Sequence, residues 1–141
     1  MGITRASRYH DISCGHRVVG QGGKCEHLHG HNYRIHFHVE GNLDAVGRVL
    51  DFSVIKSELC EWIENVWDHM FLVWEEDPYL PGLRAVDPYG LSIVPFNPTA
   101  ENMAEYLVTV VGPALLIPYD CTLVACEVEE TSKCFASYRL G

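Results

Sequence analysis

The nine residues from Cys25 to Tyr33, "CEHLHGHNY", hold three histidines and a cysteine. His29 and His31 are two apart. On an extended chain they point to the same side, where two imidazoles can share a metal ion. A third ligand must come from elsewhere, and His16, following Gly15 near the end of a candidate strand, is the best placed. Three neutral imidazoles with an open position suit a catalytic zinc, which can polarise a substrate oxygen. An H-x-H pair on a strand is also common polar surface. His36 and His38 share the spacing and read as the polar face of a regular strand, while His10 and His27 read as surface or supporting residues.

Cys25 has three readings. It closes a structural zinc site as fourth ligand, it is a reactive thiol on the glycine-rich loop "GQGGKC" with Lys24 beside it, or it is inert. Asp68 and His69 in "WDHMFL" form either a carboxylate–imidazole proton relay or a helix C-terminus that ends on a favourable histidine. In "CEVEET", alternation places Glu130 on the face of Val124, Cys126 and Val128. A carboxylate on an apolar face needs a partner. A ligand edge with two parallel N–H donors would satisfy it bidentately, unless the strand frays into solvent there.

These side chains must be held by a fold. "NYRIHFHVEG" alternates strictly, with Tyr33, Ile35, Phe37 and Val39 on one side, and reads as a half-buried strand. "TRASRYHDIS" is a weaker strand able to pair with it. "DFSVIKSELCEWIENVWDHM" changes to helical period through Ile55, Leu59, Ile63 and Val66, with Asp51 or Ser53 as cap. Residues 75–97 form a long proline-bearing segment with an extended piece near "SIVPF". A second helix starts at the Thr99 cap, shows Met103, Tyr106, Leu107 and Val110, and stops at Gly112-Pro113. "CTLVACEVEET" and "CFASYRL" form a terminal hairpin. The order strand, strand, helix, helix, strand, strand indicates an α+β fold, an antiparallel sheet with helices on one face.

The 141 residues suit one domain, spanning 1–141. A net charge of −9 argues against a nucleic-acid binder. No apolar run is long enough for a membrane span, and residues 1–13 lack the apolar stretch of a signal peptide. The six cysteines then read as reduced thiols in a cytoplasmic protein.

The motifs "CGHRV", "CEHLHGHNY", "GRVLDFSVIK", "DHMFL", "NPTAEN" and "EVEET", in this order along nearly the whole chain, resemble the 6-pyruvoyl-tetrahydropterin synthase family, within it the 6-carboxytetrahydropterin synthase branch. The resemblance implies a tunnelling (T-) fold: a four-stranded antiparallel sheet with two helices on one face, closing into a barrel in a homo-oligomer, trimer or hexamer, with active sites between subunits. It implies Zn2+ on His16, His29 and His31, Cys25 as catalytic thiol, Asp68 and His69 as its relay, and Glu130 as anchor of a pterin's amino-pyrimidinone edge. The implied substrate is 7,8-dihydroneopterin triphosphate and the implied product 6-carboxytetrahydropterin. The alternatives are a 6-pyruvoyltetrahydropterin synthase and a non-catalytic pterin- or zinc-binding module. Some of Arg17, Lys24, Lys133 and Arg139 are expected to line the triphosphate's approach.

Overall fold

A computed structural model describes residues 2–141; Met1, first residue of the expected domain, lies outside it. Two long strands form the centre. β1 (Arg5–His16) and β2 (His29–Gly41) pair antiparallel in unbroken register, from Arg5 opposite Glu40 to His16 opposite His29. β5 (Cys121–Glu130) pairs antiparallel with β2, and β6 (Cys134–Arg139) antiparallel with β5. These four strands are the sheet expected from the alternating patterns.

The sheet is larger than expected. Two four-residue strands, β3 (Phe71–Trp74) and β4 (Leu91–Val94), run parallel to each other and extend it in the order β4-β3-β1-β2-β5-β6. β3 joins β1 at Gly15 opposite Phe71. A Cβ at residue 15 would come within 2.5 Å of the Phe71 ring, so only glycine admits this approach. The long segment is thus an ordered connection, with β4 at "LSIV" and a short helix α2 (Leu80–Val86) before it.

Helix α1 is three continuous pieces, Phe52–Val54, Ile55–Cys60 and Glu61–Val66, the middle one a π-turn. Asp51 caps it by accepting from the Ser53 amide at 2.8 Å. Helix α3 is likewise Ala100–Tyr106, Leu107–Val111 and Gly112–Leu115 around a π-turn, with the Thr99 hydroxyl accepting from the Asn102 amide at 3.1 Å. It does not stop at Gly112-Pro113. The Gly112 amide reaches back five residues to Leu107, and one more α-turn follows the proline. The π-turn also shifts the buried face to Met103, Ala104, Leu107, Val108 and Val111, leaving Val110 exposed.

The inward residues of β2, Tyr33, Ile35, Phe37 and Val39, are fully buried against Ile55, Leu59, Ile63 and Trp67 of and just after α1 and the buried face of α3. Each such aliphatic or aromatic side chain contributes about 1.5–3 kcal/mol by leaving water. A bulge in β5 corrects the expected alternation. His38 faces Ala125 but Val39 faces Leu123, so Val124 is an extra residue. Leu123, Cys126 and Val128 point inward, and Val124 does not. No helix among the described residues is long and apolar enough to cross a membrane.

Candidate active site

The register of β1 and β2 brings the histidines together. His16 ends β1 opposite His29, which begins β2, and Cys14 sits opposite His31. On both strands these positions share the inward parity. The three rings stand with centroids 4.6–5.3 Å apart, and one nitrogen from each lies within 4.8 Å of the others.

Supporting groups choose which nitrogens are offered. Nδ1 of His16 donates to the Pro98 carbonyl and Nδ1 of His29 to the His27 carbonyl, at 2.5 and 2.7 Å. This tautomer leaves Nε2 with its lone pair. The Nε2 atoms of His29 and His31 are buried, with no hydrogen-bond partner among the described residues. Buried polar atoms are rarely left so. Burial, more than any neighbouring charge, holds the His31 pKa below its usual value, which favours the neutral ligating form. A set of three imidazoles fits zinc well.

Glu130 stands beside the cluster. Its Oε1 is 3.1 Å from His16 Nε2 and 3.3 Å from His31 Nε2, the latter without hydrogen-bond geometry. The Tyr33 hydroxyl donates to the same oxygen at 3.2 Å and lies 3.1 Å from His16 Nε2. The contact with His16, outweighing burial, keeps the Glu130 carboxyl below its usual range. Burial chiefly, with the Glu130 carboxylate adding to it, raises the Tyr33 hydroxyl's pKa, so it stays a donor.

Two thiols lie near. Cys14 is buried, and burial pushes its pKa up to about 12, so it stays neutral. Cys25 sits half-buried on a single 3-10 turn, Lys24–Glu26, outside the three-histidine group, and its carbonyl accepts from the Val18 amide at 2.7 Å.

Asp68 and His69 lie beyond the end of α1 at Val66, not on the helix. The left-handed backbone of His69 (φ 59°) swings its ring back, so that Nδ1 meets Asp68 Oδ2 at 2.7 Å. Ser13 of β1 anchors both, donating its amide to Asp68 Oδ1 at 2.8 Å and accepting the His69 amide at 2.7 Å. The His69 side chain is 82% exposed. The pair lines a groove of about 990 Å³ with Ser13, His31, Asn32 and Thr131. Cys25 does not line it, and among the described residues no hydrogen bond joins Cys25 to either residue. A single chain does not bring these three together.

Other expectations are resolved by partners. His36 and His38 face away from the core and bond Glu129 and Glu127 at 2.6 and 3.3 Å, which is the polar-face reading. Arg17 is corrected. It is buried, not lining an approach path, because Asp77 takes two of its donors at 2.7 and 2.8 Å. Sequence reasoning missed Asp77, the Pro98 carbonyl and the Tyr33 hydroxyl. For Tyr33 a signal existed, since it continues the parity of His29 and His31.

A family model described as 6-pyruvoyl tetrahydropterin synthase matches residues 5–140. The chain is 33% identical over 136 residues to the 6-carboxy-5,6,7,8-tetrahydropterin synthase of Rickettsia typhi, covering 94% of this chain and 98% of that one. It is 35% identical over 121 residues to a probable 6-carboxy-5,6,7,8-tetrahydropterin synthase of Halobacterium salinarum, covering 85% and 76%. An uncharacterized protein from Wolinella succinogenes superposes with a TM-score of 0.87 over the whole of both chains at 23% identity. The Caenorhabditis elegans 6-pyruvoyl tetrahydropterin synthase gives 0.72 over 100% and 98% at 24% identity. With this extent of sequence and fold in common, the chain belongs to the 6-pyruvoyl tetrahydropterin synthase family and is an enzyme of its lyase kind.

Proposed function

We propose that the chain converts 7,8-dihydroneopterin triphosphate and water to 6-carboxy-5,6,7,8-tetrahydropterin, releasing acetaldehyde and triphosphate, in a cytoplasmic step toward queuosine and other 7-deazapurines. The observation that carries the metal site is the pair of buried, unpartnered Nε2 atoms on His29 and His31, next to a His16 whose Nδ1 is already committed. His16, His29 and His31 would hold Zn2+, which supplies Lewis-acid polarisation of the substrate's side-chain oxygens. The relatives' names support the carboxy product.

The chain's own groups divide the remaining work. Glu130, steadied by the Tyr33 hydroxyl, accepts the two parallel donors of the pterin edge. The Cys25 thiolate removes a proton from the substrate side chain. His69, its Nδ1 fixed by Asp68, offers Nε2 for proton transfer at the groove. Cys25 and the Asp68–His69 pair meet across a subunit boundary in a homo-oligomer of three or six chains, and residues 1–141 act as one unit.

Wild type and Cys25→Ala test this reading. Bound zinc is measured by elemental analysis, and products from dihydroneopterin triphosphate by mass. Equal zinc, with carboxytetrahydropterin from wild type alone, is the expected result. Zinc lost on substitution would make Cys25 a ligand, and a pyruvoyl product would replace the proposed reaction.

A further inference from the structure

Arg17 directly follows a histidine of the cluster, yet it is only 5% exposed, and Asp77 is 4% exposed. Arg17 Nε and Nη2 donate to the two oxygens of Asp77 at 2.8 and 2.7 Å. The guanidinium lies 3.5 Å from the centre of the Tyr79 ring. A bidentate, stacked, buried pair fits arginine and does not fit lysine. Such a pair gains little net stability over well-packed apolar residues.

Its third donor reveals another task. Arg17 Nη1 donates to the Glu26 carbonyl at 3.2 Å, one residue past Cys25. The next amide, Val18, donates to the Cys25 carbonyl at 2.7 Å, and the Gly20 amide to the Glu26 carboxylate at 2.8 Å. The turn carrying Cys25 has no buried residue of its own to hold it. Its position rests on these bonds. Asp77 in turn is fixed by its place after β3, accepting the Tyr79 amide at 2.8 Å.

We propose that Arg17 and Asp77 are positioning residues for Cys25: Asp77 aims the guanidinium, and the guanidinium holds the Cys25 turn by the Glu26 carbonyl. The long 75–97 connection thereby bears on the Cys25 turn through Arg17. The consequence for turnover rests on the function proposed above. The clamp itself does not.

The test replaces the pair by apolar residues of similar size, Arg17→Met with Asp77→Leu, and follows backbone hydrogen exchange by mass in peptides covering 17–28 and 33–40. Faster exchange over 17–28 with unchanged protection over 33–40 is expected. Zinc should stay bound, and kcat should fall on the order of 100-fold, the cost of a displacement of about 1 Å, with KM within about threefold. Arg17→Lys keeps a charge beside Asp77 but loses the fork, so it should show the same pattern in weaker form and serves if the double variant does not fold. Unchanged exchange over 17–28 overturns the clamp. Faster exchange with wild-type kcat overturns the positioning role. A wild type that makes no product overturns the functional reading instead, and exchange alone then decides the clamp.

Discussion

The main-chain oxygen of Pro98 lies 2.5 Å from Nδ1 of His16, 82 residues away in sequence. The motif before α3 therefore does more than start a helix. Asn97 holds the same stretch in place, accepting from the Val19 amide and donating to the Val19 carbonyl, both at 3.0 Å. Asn97→Ala should loosen the Pro98 carbonyl and weaken zinc binding by about 10–100-fold, as loss of a ligand's orienting partner does. Competition against a chromophoric chelator reads this directly. Unchanged affinity would mean that His16 needs no orientation from this side.

Tyr33 gives a prediction of a different kind. Its hydroxyl bonds Glu130, whereas its ring belongs to the core. Tyr33→Phe keeps the ring and removes the donor. Zinc content should be unchanged, and KM for the pterin should rise about fivefold, the equivalent of one hydrogen bond of about 1 kcal/mol. Steady-state kinetics at saturating zinc checks it.

Stability against pH should show Asp77. Burial alone would raise its pKa, but the Arg17 hydrogen bonds, with the Tyr79 amide, hold the carboxyl below its ordinary value of 3.8. A depressed folded pKa contributes stability that is complete above the unfolded value and lost as pH falls through the folded one. Asp77→Asn should therefore cost about 3–5 kcal/mol at pH 7, leaving Arg17 buried and unpaired. The gap to wild type should stay constant down to about pH 5 and narrow below about pH 4. Urea midpoints at pH 7, 5 and 3 give the three points needed.

The cap at α1 supplies a control away from the three histidines. Asp51→Ala removes the acceptor for the Ser53 amide. It should cost about 1 kcal/mol, a fall in Tm of roughly 3–4 °C for a chain of this size. Zinc content should not change.

The parts legible in the sequence are those governed by local period. Tyr33 to Val39 alternates, and every inward residue is buried. His29 and His31 share a parity, and they converge with His16 because the hairpin register aligns the ends of β1 and β2. Thr99 and Asp51 cap where their types predicted. What was illegible depends on partners distant in sequence. Arg17 read as a cation awaiting substrate, since nothing near it announces Asp77, 60 residues on. β4 was legible only as the extended piece near "SIVPF", whereas β3 is too short for a periodic signal and is set by its parallel pairing with β4 and with β1 at Gly15. The π-turn in α3 widens the helix by one residue, so a reading at 3.6 residues per turn placed Val110 inside and missed Val108.

The bulge at Val124 has a consequence for how β5 tolerates change. From Cys126 to Glu130 the strand keeps one phase, and at Leu123 it keeps the other. Removing a residue from the middle of a strand ordinarily turns everything on one side of the cut inside out. Here Val124 is the surplus letter in the message. Deleting it joins Leu123 to Ala125 in simple alternation, with Leu123 still facing the helices and Glu130 still facing the histidines. The deletion gives up the bond that the Val124 carbonyl accepts from the Leu140 amide. The same deletion in β2, whose register with β1 is unbroken, would have no spare residue to absorb it, and the two halves of that strand would disagree about which way is in.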